Sequence, residues 1–270
     1  MTAGSTAIRA ISFDFGNTLV PLGRDDLRAV VRQMTTEVAL RSGPFDEHEF
    51  GLAWVAERER QFAEEVPRMR EVDLGQRVVR VLARMRGMEV PSRAARWDDA
   101  AAASLSAPEE VAAALADYGR AFVETIQVPA DVGPLIERLA ARFTLGICSN
   151  WPLAATIDRF VEHAGWSPHL KAVVVSQRVG AIKPDPRMFD AAEKELETEP
   201  GSIIHVGDDW AADIVGAKRA GWRAAHLLGR PADSPLPGSE PDGAVVPDLV
   251  LERLIDLEAA LGGPGVRPRR

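Results

Sequence analysis

Apolar positions fall into two regimes along the chain. Residues 8–15, Ile-Arg-Ala-Ile-Ser-Phe-Asp-Phe, form a short β-prone run that stops at a turn, Gly16-Asn17. Over the next hundred residues the pattern predicts helices alone, each with a recognisable start. Asp25 precedes a periodic run to about Ser42, Asp46 is followed three residues on by Glu49, and Asp73 by Gln76. Ser92 opens another stretch, and Ser106-Ala107-Pro108-Glu109 has the form of a capping box with proline inside it. From about Asp131 the pattern alternates: helix 131–142, strand 143–149, helix 152–164, strand 171–175, helix 186–197, strand 202–207, helix 210–220, strand 222–228. Strands separated by roughly 10–15 helical residues predict a parallel sheet wound by right-handed crossovers. The opening strand needs that same sheet. The expected architecture is therefore α/β, a doubly wound parallel sheet core built from residues 1–20 and 129–270, with an all-helical domain of residues 21–128 inserted. The segment 229–247, rich in Pro, Gly, Asp and Ser, reads as a surface loop. Residues 249–262 read as a short edge strand with a closing helix, and the residues beyond as a frayed tail.

Composition narrows the chemistry. With 270 residues the chain is long enough for one large domain or two modest ones. Cys148 is the single cysteine and sits in the apolar run Thr144-Leu145-Gly146-Ile147-Cys148, so no disulfide forms within the chain, and a reducing, cytoplasmic compartment is expected. A net charge of -8 argues against a binder of nucleic acid that relies on a basic face. The sequence has no run of ~18 uninterrupted apolar residues, and Met1 to Ala10 lacks the basic-then-apolar profile of a secretory signal. The expectation is a soluble protein with no membrane partner, monomeric or homodimeric. Lysine occurs at only four positions, 171, 183, 194 and 218, so the whole insertion lacks it.

In open α/β sheets ligands bind outside the carboxyl ends of the strands. Four ends then carry candidate chemistry: Asp14 after the first strand, Ser149-Asn150 after the second, Lys183 shortly after the third, and Gly207-Asp208-Asp209 after the fourth, with Asp213 five residues beyond Asp208. Three carboxylates and a lysine in such places suit a divalent cation that offsets the acids. The lysine balances a phosphoryl charge, and one carboxylate can attack in line. Oxygen donors of this kind favour Mg²⁺.

The ordered set resembles the haloacid dehalogenase-like hydrolase superfamily, whose members share a Rossmann-like core and mostly work through an aspartyl-phosphate. The resemblance rests on Phe13-Asp14-Phe15-Gly16-Asn17-Thr18-Leu19, Ile147-Cys148-Ser149-Asn150, Gly180-Ala181-Ile182-Lys183-Pro184-Asp185-Pro186 and His205-Val206-Gly207-Asp208-Asp209-Trp210-Ala211-Ala212-Asp213. It implies Asp14 as nucleophile, Ser149 and Lys183 on the phosphoryl oxygens, and Thr18 and Asn150 beside the substrate. It implies Mg²⁺ held by Asp14, the Gly16 carbonyl and Asp208, with Asp213 or Asp209 in support. The insertion between the first two motifs resembles a helical cap that closes over the site and reads the substrate, a lid role. Arg24, ten residues past Asp14, is a candidate contact for an anionic substrate. The other cap arginines, including Arg58, Arg60, Arg68 and Arg70, read as solvated faces of amphipathic helices.

One position departs from the pattern. Phosphatases of the superfamily usually carry a second Asp two residues after the nucleophile as general acid and base, and here that residue is Gly16. General acid–base catalysis is typically worth about 10²–10⁴-fold. The resemblance therefore implies a phosphatase of small phosphorylated metabolites that favours good leaving groups, such as sugar 1-phosphates or acyl phosphates. The alternatives are a 2-haloacid dehalogenase and a catalytically weak binding or scaffold protein on the same fold. His205, flanked by Ile204 and Val206 inside a strand, reads as a core residue with a satisfied ring, and the other histidines lack zinc spacing. Trp151 and Trp210 read either as pocket walls or as packing at helix starts.

Overall fold

The computed structural model describes residues 7–90, 99–243 and 245–262; the expected helix start at Ser92 and the tail past residue 262 lie outside them. The chain divides into two compact units, one of residues 1–23, 69–71 and 127–270, the other of residues 24–68 and 72–126.

The first unit is built on a six-stranded sheet in which every neighbouring pair is parallel, ordered β3-β2-β1-β4-β5-β6. The strands are β1 (Ala10–Phe13), β2 (Thr144–Ser149), β3 (Leu170–Val175), β4 (Ile203–Gly207), β5 (Arg223–Leu227) and β6 (Leu249–Leu251). Every residue of β1, β2 and β4 is buried, as expected of central strands covered on both faces by crossover helices. In register, Phe13 lies between Ile147 and Val206, so β1, β2 and β4 end side by side. Strand β1 is shorter than the apolar run that announces it. Asp14 still donates its backbone N–H to the Val206 carbonyl at 2.9 Å, but Leu19 and Val20 then both donate to the Phe15 carbonyl, and the chain turns.

Around the sheet run Val132–Ala140, Ala154–His163 and Pro186–Leu196, close to the expected helices. The last begins on Asp185, whose side chain accepts from the Arg187 N–H, with Pro186 in the first turn where its missing donor is harmless. The expected helix 210–220 is instead a π-helical turn, Trp210–Val215, followed by a short α-helix, Gly216–Arg219. The widening accompanies a side chain folded back on the turn: Asp213 accepts the Asp209 N–H on its own carboxylate. Wide turns of this kind occur mostly at functional sites.

The second unit is helical: α1 (Arg24–Ser42), α2 (Glu47–Glu65), α3 (Leu74–Met85), α4 (Asp99–Leu105) and α5 (Pro108–Thr125). Asp46 and Asp73 cap α2 and α3, accepting from the Glu49 and Gln76 N–H groups at 2.9 Å. Two expectations fail at the other starts. Helix α1 begins at Arg24, so Asp25 lies in its first turn. Ala107 caps α5 with no side-chain bond, because Ser106 accepts from the Arg86 guanidinium instead. No helix among the described residues is long and apolar enough to cross a membrane.

Arginines in this unit do not all lie in solvent. Glu57 is fully buried and accepts from Arg60 Nε at 2.7 Å, Arg80 Nε at 2.8 Å and Arg84 Nη2 at 2.6 Å. Arg58 and Arg60 are themselves only 15% exposed, which corrects their reading as solvated residues, whereas Arg68 does reach solvent. Burial opposes ionisation of Glu57, but its arginine partners outweigh that and hold its carboxyl below the ordinary 4.5. Removing one partner from a buried ionic cluster typically costs about 3–5 kcal/mol. Glu57→Gln is therefore expected to lose about 3 kcal/mol in urea unfolding near neutral pH. A depressed folded pKa gives stability that is present above the unfolded value and lost as pH falls through the folded one. The gap to wild type should thus close below pH 4.5.

Candidate active site

Asp14, Ser149 and Asp208 stand at or just past the ends of β1, β2 and β4, Lys183 lies in the loop between β3 and the Pro186–Leu196 helix, Asp213 lies in the π-helical turn after β4, and all five are buried. Lys183 is the hub. Its ammonium donates to Asp14 Oδ1 at 2.8 Å and to Asp213 Oδ1 at 2.6 Å, and lies 3.4 Å from His205 Nε2. Burial alone would discourage the charged lysine, but the two carboxylates hold its pKa above the ordinary value. Asp213 is held well below the carboxylate range: burial works against ionisation, and Lys183 and His205 overcome it. His205 is driven towards the neutral form by burial and by Lys183. A neutral ring that donates Nε2–H to Asp213 at 3.1 Å and accepts at Nδ1 from Ser12 at 3.0 Å satisfies both nitrogens. His205 is thus a core residue, and one that fixes Asp213.

Two residues expected beside the substrate are engaged otherwise. Asn150 spends both ends of its amide on Lys183, donating to its carbonyl at 3.1 Å and accepting from its N–H at 2.7 Å. Thr18 donates to Asp208 Oδ1 at 3.4 Å. The turn that follows Asp14 is closed by Asn17, which adopts the left-handed region (φ 59°) and accepts from the Leu22 N–H; asparagine tolerates that backbone better than most residues. Arg24 opens α1, in the helical unit.

Asp208 is the under-neutralised acid. Burial, then the Asp14 and Asp213 charges, push it up to about 8, against the pull of Arg230. Asp14, Asp208 and Asp213 each offer an oxygen, all within 4.8 Å of one another. Three buried hard-oxygen donors whose charge Lys183 and Arg230 do not cancel fit a divalent cation such as Mg²⁺. Gly16 adds no side chain. A Cβ there would meet Leu236 Cδ1 at 3.1 Å, Leu22 Cδ1 at 3.2 Å and Trp151 Cζ3 at 3.8 Å, so this side of the site is apolar. Trp151 does wall the site, packed edge-on against Phe15. Trp210 packs edge-on against His226 and donates to Asp242 at 3.0 Å.

Two participants escaped sequence reasoning. Glu71, from the short 69–71 segment that joins the sheet unit, accepts a short hydrogen bond from buried Ser176, which accepts in turn from the Trp151 N–H at 2.8 Å. Arg230 donates to Asp208 Oδ2 at 3.1 Å. Neither carries a local signal: Glu71 lies among helix starts and Arg230 in a loop-like composition.

The comparisons with known proteins come down on the same class. The haloacid dehalogenase-like hydrolase family matches residues 8–221, and the chain belongs to it. A mouse protein called haloacid dehalogenase-like hydrolase domain-containing protein 3 is 35% identical over 119 residues, which is 43% of this chain and 47% of that one. The glyceraldehyde 3-phosphate phosphatase of Methanopyrus kandleri is 28% identical over 147 residues, 54% of this chain and 61% of that one. The chain thus spans about half to three-fifths of these relatives' length. Two solved structures share the fold over nearly their whole length. One is the magnesium-bound HAD-hydrolase YfnB of Bacillus subtilis (TM-score 0.60, 18% identity, covering 96% of this chain and 100% of that one). The other is a 2-haloacid dehalogenase of Pseudomonas syringae (TM-score 0.62, 20% identity, 94% and 98%).

A glycine is required at one point of this site. A Cβ at Gly207 would overlap the Asp213 carboxylate, which Lys183, His205 and the Asp209 N–H hold from three sides. Gly207→Ala is expected to lose about 1–3 kcal/mol by overpacking. Denaturant unfolding measures it, and an unchanged midpoint would mean that Asp213 can turn aside freely.

Proposed function

We propose that this hydrolase cleaves phosphate monoesters of small metabolites through a phosphorylated Asp14. The observation that carries the reading is the buried chain Asp14–Lys183–Asp213 beside the under-neutralised Asp208. Asp14 attacks phosphorus, the ester P–O bond breaks, and the leaving group departs as its anion, which water protonates. Water then attacks the acyl phosphate, releasing inorganic phosphate and restoring the carboxylate. Lys183 and Ser149 bear the phosphoryl charge, and Lys183 opposes the burial that, with the Asp213 charge, raises the Asp14 pKa. Asn150 fixes the Lys183 backbone, and Thr18 orients Asp208.

Asp14, Asp208, the Gly16 carbonyl and Asp213 would hold Mg²⁺. When bound, the ion supplies a Lewis acid for the phosphoryl oxygens and neutralises the acids. Residues 21–128 act as the cap, with Arg24 in contact with an anionic substrate. The protein works in the cytoplasm as a monomer or homodimer.

Gly16 shapes the specificity. With Leu22, Leu236 and Trp151 standing where an acid would be, no side chain at that position protonates the leaving oxygen, and esters that leave as stable anions react best. The 2-haloacid dehalogenases lack the Gly-Asp pair of the fourth motif, whereas this chain keeps Gly207-Asp208, with Asp208 clustered beside Asp14 and Asp213; that favours the phosphatase.

Phosphate release from aryl, acyl, sugar and nucleotide phosphates, with Mg²⁺ or EDTA, tests this reading. Wild type is expected to turn over only with metal, Asp14→Asn to fall at least about 10³-fold, and aryl or acyl phosphates to exceed alkyl esters by about 10²-fold. Equal rates for alkyl and aryl esters would sink the leaving-group argument, and silence throughout would return the fold to the scaffold or dehalogenase readings. Gly16→Asp combined with Leu236→Ala, which clears the nearest side chain, is expected to raise alkyl-ester turnover selectively.

A further inference from the structure

The segment that follows β5 has the composition of a solvated loop, yet it is fastened across the ends of β1 and β4. Ser234 shares hydrogen bonds with the Asn17 amide at 3.2 and 3.3 Å. Ser239 donates to Asp209 Oδ1 at 2.9 Å and accepts from the Ala211 N–H at 2.7 Å. Asp242 accepts from Trp210, and Arg230 reaches Asp208.

The Arg230 guanidinium joins the two sides. Nη1 donates to Asp208 Oδ2 at 3.1 Å and to the Pro237 carbonyl at 2.9 Å, while Nη2 donates to the Leu236 carbonyl. The backbone folds tightly over it: a Cβ at Gly238 would stand 2.7 Å from Nη1 and 2.8 Å from Cζ. Leu236, held by its carbonyl, is the side chain nearest to Gly16. With these donors committed to the protein, the guanidinium serves as a clamp on Asp208 Oδ2, while the other oxygen, Oδ1, accepts only the long 3.4 Å bond from Thr18 and keeps a lone pair for a cation.

We propose that Arg230 is a positioning residue of the carboxylate centre: by holding Asp208 Oδ2 from the 228–243 segment it sets the orientation in which Asp208 meets a divalent cation. The proposal rests on the phosphatase reading for its metal site. Charge and geometry act in opposite directions here. If Arg230 mattered only as a positive charge, removing it would make the acids attract Mg²⁺ more strongly. If it orients Asp208, removing it weakens binding, and losing an outer-shell partner of a metal ligand typically costs 10–100-fold.

Isothermal calorimetry of Mg²⁺ binding to the full chain, without substrate, reads the sign directly. Arg230→Ala is expected to weaken the dissociation constant by about 10–100-fold. Arg230→Lys keeps the charge but not the planar fork that bridges a carboxylate and two carbonyls, so it should also weaken binding several-fold. Gly238→Ala, which displaces the guanidinium without removing it, should move the constant the same way. An unchanged or tighter constant in Arg230→Ala, or a lysine variant equal to wild type, would overturn the proposal. So would a fall in thermal midpoint in EDTA with Mg²⁺ affinity intact, the mark of a purely structural clamp. Wild type that binds Mg²⁺ but releases no phosphate retires the phosphatase reading alone, and the constants still decide the role of Arg230. Wild type that binds no Mg²⁺ overturns both.

Discussion

The buried ammonium of Lys183 is the constraint around which the sheet unit is arranged. It is out of water between Asp14 and Asp213, and each group is tolerable there only because of the others. Three elements distant in sequence must therefore meet: the end of β1, the turn that leads into the Pro186–Leu196 helix, and the π-helical turn after β4. The supporting contacts hold this meeting in place. Asn150 grips the Lys183 peptide from β2, His205 braces Asp213 from within β4, and Gly207 vacates the space that the Asp213 carboxylate needs. Ionic groups so enclosed contribute little net stability, but a chain that misplaced any of them would bury an uncompensated charge, and this penalises alternative arrangements.

Around that centre the site is uneven in polarity. On one side stand carboxylates, lysine and arginine; on the other stand Leu22, Leu236 and Trp151 over a glycine. The two sides are tied together by one segment, since Arg230 meets the acids and Leu236 the glycine. Charge on one side and an apolar wall on the other thus depend on the same short segment, Arg230 to Leu236.

The sheet was legible because buried parallel strands are nearly continuous apolar runs, and because Asp14 and Asp208 sit where such strands stop. The caps at Asp46 and Asp73 were legible because that bond is local. What depended on distant partners was not. Ser106 looks like a cap, but Arg86 from another helix takes its hydroxyl. The 210–220 run has helical periodicity, yet Asp213 is bound back to Asp209, and the turn widens. Arg60 reads as part of a solvated helix face, yet it converges with Arg80 and Arg84 on the buried Glu57. The 229–247 segment is rich in loop formers, and its anchoring to Asn17, Asp208 and Asp209 has no signature in spacing. For the same reason spacing gives no sign that the Asn150 and Thr18 side chains, read from sequence as substrate contacts, bond Lys183 and Asp208.

The pairing of β1 with β2 has a consequence for how this molecule is made. Ala10 lies opposite Thr144, so the two central strands can zip together only after a very long stretch of chain has been synthesised and its ends brought into reach. Closure entropy grows slowly with loop length, but non-local pairings of this kind slow folding. The helices of the inserted unit rely on contacts nearer in sequence and can collect before that. On the ribosome β1 therefore waits, an apolar strand with neither neighbour yet made, while more than a hundred residues emerge behind it. The sheet cannot begin to close until β2 arrives, nor enclose β1 until β4 does, which exposes the nascent chain to aggregation longest at the strand that leads into Asp14.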